Sequence, residues 1–142
     1  MERRTLKKKL YLSGIDGRAA QLARENGLGY EIADFCYAPV LEDPARRAEV
    51  RAQMAGIGRF WLHAPFAELA PCAIPLVREV TRRRYRQAVR LARELGVNRL
   101  VIHGGFVPQV YFPEWYIEQS VQFWREFLRE LPDGMTVALE NV

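Results

Sequence analysis

The chain has 142 residues, 49% of them hydrophobic, with 21 Lys and Arg against 17 Asp and Glu for a net charge of +4. That is material for one ordinary core, and it predicts a single domain over residues 1–142 with no second domain. So modest a charge disfavours nucleic acid as the partner, and no apolar segment long enough for a secretory signal or membrane span follows the basic start at Met1–Lys9, so a cytoplasmic chain without a membrane partner is expected.

Leu10 to Ser13 reads as the first strand, and Asp16 as the N-cap of a helix through Ala19, Ala20, Leu22 and Ala23, ended by Gly27 or Gly29. Tyr30 to Ala33 is the second strand, after which Asp43-Pro44 supplies a cap and an N1 proline for a helix reaching Met54. The third strand, Arg59 to His63, leads through a loop with Pro65 and Pro71 into a long helix whose Tyr85, Ala88, Val89, Ala92 and Leu95 share one face, with Gly96 as its stop. Along another face Arg78, Arg82, Arg86 and Arg90 recur every fourth residue, which predicts a solvated stripe.

Arg99 to His103 is the fourth strand, opening into Gly104-Gly105 and a loop with Pro108 and Pro113. A helix burying Ile117, Val121, Trp124, Leu128 and Leu131 follows it. Pro132-Asp133-Gly134 turns the chain into the fifth strand, Met135 to Glu140. Strict alternation of strand and helix predicts an α/β fold with a parallel sheet and right-handed crossovers. Two architectures fit it, a doubly wound open sheet or the first five units of an eight-stranded barrel. No GxGxxG or P-loop follows the first strand, where Ser13-Gly14-Ile15-Asp16-Gly17 stands, so no nucleotide cofactor is expected. Cys36 and Cys72 lack metal-ligand spacing and are expected as reduced thiols.

Three strand-like runs stop at residues able to bind a metal: His63, His103 and Glu140. Parallel strands of a barrel deliver their carboxyl ends to one face, so residues far apart in sequence converge there. A carboxylate at such a position suits a divalent metal and can also move a proton, which makes Glu140 the first candidate as ligand and catalyst. His103 follows as a ligand, with Gly104 and Gly105 leaving room for substrate. For His63 a packing role between Trp61 and Phe66 stands beside the ligand role. Glu31, inside the second strand, is expected to point into the mouth and orient substrate. Glu68 reads as a solvated loop acid, and Tyr111 and Trp115 as packing aromatics.

Four segments in order, Gly29-Tyr30-Glu31-Ile32-Ala33-Asp34-Phe35-Cys36, His63-Ala64-Pro65-Phe66, Val101-Ile102-His103-Gly104-Gly105-Phe106 and Leu139-Glu140-Asn141-Val142, resemble the sugar phosphate isomerase/epimerase family of the xylose isomerase-like TIM barrel superfamily. The resemblance runs from Leu10 to Val142. It implies a (β/α)8 TIM barrel, present here as a partial barrel truncated after the fifth strand, with a divalent metal (Mn, Mg, Co or Zn) at the C-terminal mouth. It further implies isomerisation or epimerisation of a sugar or sugar phosphate through an enediolate, with Glu140, His103 and His63 as ligands. Apurinic endonucleases of the superfamily are similar at the same three positions, which implies a zinc phosphodiesterase as the alternative. The family's ligands after strand six have no counterparts, so the chain alone is expected to be inactive. A homo-oligomer, or pairing with the missing C-terminal half-barrel, is then expected, and a non-catalytic truncated barrel that self-associates is the remaining alternative.

Overall fold

The computed structural model describes residues 6–67 and 74–140. In chain order these form β1 (Tyr11–Ser13), α1 (Ala19–Asn26), β2 (Gly29–Ile32), a 3-10 turn (Ala38–Glu42), α2 (Pro44–Met54), β3 (Phe60–His63), α3 (Pro75–Glu94), β4 (Arg99–His103), α4 (Pro113–Leu128) and β5 (Thr136–Glu140). Every expected element is present, its ends within a few residues of the expected ones. The 3-10 turn, which carries a proline in its first turn, is additional. Glu68, Pro71 and Cys72 lie outside the described residues.

All strands are parallel, and their spatial order is β1-β2-β3-β4-β5. This order separates the two architectures left open by the alternation of elements. A doubly wound sheet reverses its strand order at a switch point, whereas a barrel adds each strand beside the last. The chain therefore folds as consecutive βα units of a TIM barrel.

Successive strand residues face opposite sides of the sheet. Tyr30, Ile32, Leu62, Leu100 and Ile102 are at most 3% exposed and form the core with the helices. The interleaved Glu31, Trp61, His63, Arg99, Val101 and His103 occupy the other face, which is the interior side of a barrel. This alternation decides which residues can build a site.

Local chemistry explains the helix ends. Asp43 caps α2, its carboxylate accepting from the backbone N–H groups of Ala45 and Arg46. Gly27 closes α1 at φ 64°, a left-handed conformation that costs glycine little. Asp16 does not occupy the N-cap of α1. It sits two residues earlier and accepts from the Arg18 N–H, because the helix starts only at Ala19.

Two packing expectations are corrected. The buried face of α4 is Phe123, Trp124 and Phe127, which pack with Tyr85 of α3 in a cluster of stacked and edge-on rings. Of the expected stripe, Trp124 is buried and Leu131 packs partly against the core, while Ile117, Val121 and Leu128 are exposed. Ile117 and Val121 instead line a groove of about 370 Å3 that also takes in Tyr116, Ser120, Trp124, Leu139 and Glu140. The aromatics win the α3 interface because three flat rings fill it more fully than branched aliphatics.

Nor is the arginine stripe simply solvated. Arg82 pairs with Glu126 at 2.6 Å and Glu130 at 3.4 Å, Arg86 pairs with Glu130 at 2.8 Å, and Arg78 donates to Gln119. Arg82 also lies over the Phe123 ring. Arg78, Arg82 and Arg86 of α3 thus meet acceptors on α4 and just beyond its end. Among the described residues, no helix is long and apolar enough to cross a membrane. Cys36 is a free thiol that donates to the Ala33 carbonyl.

Candidate metal centre

The three strand-end residues singled out in the sequence converge. β4 and β5 are in register at His103 and Glu140, so those two side chains stand side by side. His63, at the end of β3, is level with Val101, and the stagger between neighbouring strands brings its ring beside His103. The imidazole centroids are 4.9 Å apart and nearly perpendicular, at 77°. Oε2 of Glu140 lies 3.3 Å from Nε2 of each histidine. One donor atom from each residue falls within 4.8 Å of the other two.

The hydrogen bonding determines what such a cluster can hold. Nδ1 of His63 donates to the Ala64 carbonyl at 2.7 Å. In the neutral ring this leaves Nε2 as a bare lone pair aimed at a carboxylate oxygen. Two acceptors at 3.3 Å repel unless a proton or a cation lies between them. Ligands about 2.0–2.1 Å from a tetrahedral metal are themselves about 3.3–3.4 Å apart, which is the spacing of Glu140 from both rings. The donor set, two imidazole nitrogens and one carboxylate oxygen, therefore fits a divalent transition metal. A carbonyl on the second nitrogen of a ligating histidine also fixes its tautomer and orientation.

Burial tunes the site. His63 is buried, His103 keeps 20% of its side chain exposed and Glu140 keeps 47%, so the cluster opens at the rim beside Glu140. Burial, helped by the neighbouring His63, pushes the His103 imidazole below its ordinary pKa, while Glu140 opposes that shift. Phe66 stacks on His103 with centroids 5.2 Å apart at 20°, and meets His63 edge-on at 6.1 Å. Trp61, which the sequence placed beside His63, instead packs edge-on against Tyr11 and under the Arg99 guanidinium.

The other predicted residues sit around this cluster. Glu31 is on the interior face but accepts from Ser13 Oγ at 3.1 Å, and it belongs to no group with the histidines. Gly104 donates its N–H to the Glu140 carbonyl, and a Cβ there would meet the Tyr116 hydroxyl at 2.5 Å. Gly105 turns the chain at φ 77°. Tyr111 and Trp115 pack on each other at 5.2 Å. Sequence reasoning did not anticipate Tyr116, which nothing in the local sequence announced.

Comparison with known proteins agrees with this fold. The sequence model described as xylose isomerase-like TIM barrel matches residues 20–142. Similar solved structures include the TTHB071 protein from Thermus thermophilus, from a crystal soaked with ZnCl2, at 27% identity and TM-score 0.62, covering 93% of this chain and 55% of that one. A D-tagatose 3-epimerase-like protein superposes with TM-score 0.71 at 20% identity, over 93% of this chain and 52% of that one. The 3-keto-D-glucoside 4-epimerase YcjR from E. coli gives 0.56 at 16% identity, over 85% and 49% respectively. No curated protein matches the sequence. The chain spans about half the length of the structures it resembles. Its sequential parallel strands, the strand-end cluster and the match over residues 20–142 together make this chain a member of the xylose isomerase-like TIM barrel family.

Proposed function

We propose that His63, His103 and Glu140 hold a divalent metal that serves isomerisation or epimerisation of a sugar or sugar phosphate. The observation that carries this reading is the convergence of two histidine nitrogens on a single carboxylate oxygen at 3.3 Å. Two imidazoles favour Zn2+, Co2+ or Mn2+ over Mg2+, which prefers oxygen ligands. When bound, the metal supplies a Lewis acid that polarises adjacent carbonyl and hydroxyl oxygens of the substrate.

The chain's own residues then divide the work. Oε2 of Glu140 faces both histidines, which leaves Oε1, at the exposed rim, to take the proton from the carbon next to the carbonyl. Loss of that proton gives an enediolate; its return to the same carbon from the opposite face gives the epimer, and its return to the neighbouring carbon, with the hydroxyl proton passing to the other oxygen, gives the isomer. Gly104 and Gly105 border the place where substrate lies, and Glu31 orients a hydroxyl from the second strand. A second acid for the opposite face would be a residue outside the His63, His103 and Glu140 cluster. A sugar substrate, a cytoplasmic location and no membrane partner are part of this proposal.

Deuterium exchange tests the proton transfer separately from full turnover, because one base is enough for it. The chain loaded with Zn2+, Co2+ or Mn2+ is incubated in D2O with ketoses and ketose phosphates, and wash-in beside the carbonyl is followed by NMR. Exchange that disappears in Glu140→Gln supports the proposal. Its absence with every metal and sugar opposes it. The paired histidines also suit a second reading, a zinc phosphodiesterase of the apurinic endonuclease type. Binding of abasic-site DNA with a steep salt dependence would favour that reading.

A further inference from the structure

Phe66 is 51% exposed, yet its ring contacts both histidines of the metal centre. Large apolar side chains at that exposure contribute little to a core, so its placement has another basis. The backbone before it is rigid. The Ala64 N–H donates to the Val101 carbonyl at 2.8 Å, which extends the β3–β4 pairing by one residue, and both Ala64 and Pro65 are buried. The Ala64 carbonyl holds Nδ1 of His63. One residue beyond the proline, the Phe66 ring lies at 20° to His103 with centroids 5.2 Å apart, an offset stack, and it meets His63 edge-on at 90°.

We propose that Phe66 is a positioning residue that sets the ring plane of His103 and screens one side of the metal centre from water. It completes a clamp in which Ala64, Pro65 and Phe66 fix both imidazoles. His63 is oriented by a hydrogen bond and His103 by a face-to-face contact. A ring that is already oriented loses less rotational freedom when it takes up a metal, so the stack raises affinity without touching the ion. This inference rests on the metal-centre reading.

The test compares wild type, Phe66→Leu and Phe66→Tyr in the 142-residue chain. Leu keeps much of the volume of an exposed side chain but cannot stack, whereas Tyr keeps the ring. Zn2+ affinity is measured by calorimetry, and the ligand field by the visible absorption of the Co2+-loaded protein. Phe66→Leu is expected to melt with the wild type but to bind Zn2+ about tenfold more weakly, within the range for groups that orient metal ligands, and to shift the Co2+ bands. Phe66→Tyr is expected to restore both affinity and spectrum. Wild-type affinity and spectrum in Phe66→Leu would overturn the role of Phe66 while leaving the metal centre standing. So would an equal loss in Phe66→Tyr. A wild-type chain that bound neither ion would instead refute the metal centre and this role together.

Discussion

Replacing Glu140 by Gln should weaken metal binding far more than it changes metal-free stability. Glutamine keeps the shape of the side chain but removes the charge and the anionic oxygen that lies 3.3 Å from both Nε2 atoms. Structural zinc binding worth about 10–16 kcal/mol over four ligands gives about 3 kcal/mol for each. Glu140 is 47% exposed, which lowers its share to about 2–3 kcal/mol, or roughly 30- to 150-fold in affinity. Without metal the substitution exchanges a half-exposed carboxylate beside two imidazoles for a neutral amide and should change stability by no more than about 1 kcal/mol. Calorimetric Zn2+ titration and urea unfolding of the metal-free protein read the two effects separately. Zn2+ affinity within about threefold of the wild type would remove Glu140 from the ligand set, since even the discounted ligand share exceeds that.

Other substitutions probe the surroundings of the site and the frame that carries it. Gly104→Ala places a Cβ against the Tyr116 hydroxyl and should cost about 1–3 kcal/mol in urea unfolding, most of it recovered in the Gly104→Ala/Tyr116→Phe double variant. Phe127→Ala opens the aromatic cluster between α3 and α4 and should lower stability by about 3–5 kcal/mol. Arg82→Ala should cost only about 1 kcal/mol, and that cost should shrink in high salt, because its carboxylate partners are partly exposed. Acid should release the metal, since ligation needs unprotonated imidazoles. The His103 pKa is already lowered by burial, so its proton competes only below the ordinary histidine range. Zn2+ affinity measured by competition with a chelator should fall on acidification, with the His103 share of that loss setting in at lower pH than an ordinary histidine would give.

The strands and the residues gathered at their ends were legible for the same reason. Leu100-Val101-Ile102-His103 and its counterparts are apolar runs closed by a polar residue, and in a parallel sheet that pattern encodes both the strand and the rim it reaches. Caps such as Asp43 and Gly27 act through contacts within a few residues and could be read locally. The choice between barrel and open sheet could not, because strand order is a non-local property. The face of α4 was misjudged for a related reason. Ile117, Val121 and Leu128 obey helical spacing as well as Phe123 and Phe127 do, and only the position of Tyr85 on α3 decides between the two stripes. Arg82 and Arg86 of α3 found acceptors in Glu126 on α4 and Glu130 just beyond it, partners that only the packing of the two helices supplies. Around the candidate metal centre, sequence supplied the three residues that converge, whereas the contact of Phe66 with His103 depends on how a loop from β3 crosses the end of β4.

Anomalous diffraction from a crystal of the chain loaded with Zn2+, recorded on both sides of the zinc edge, tests the central claim most directly. The account predicts one strong peak at the carboxyl ends of β3, β4 and β5, about 2.0–2.2 Å from Nε2 of His63, Nε2 of His103 and a carboxylate oxygen of Glu140. Zinc bound elsewhere, or a cluster that stays empty at saturating Zn2+, would contradict it.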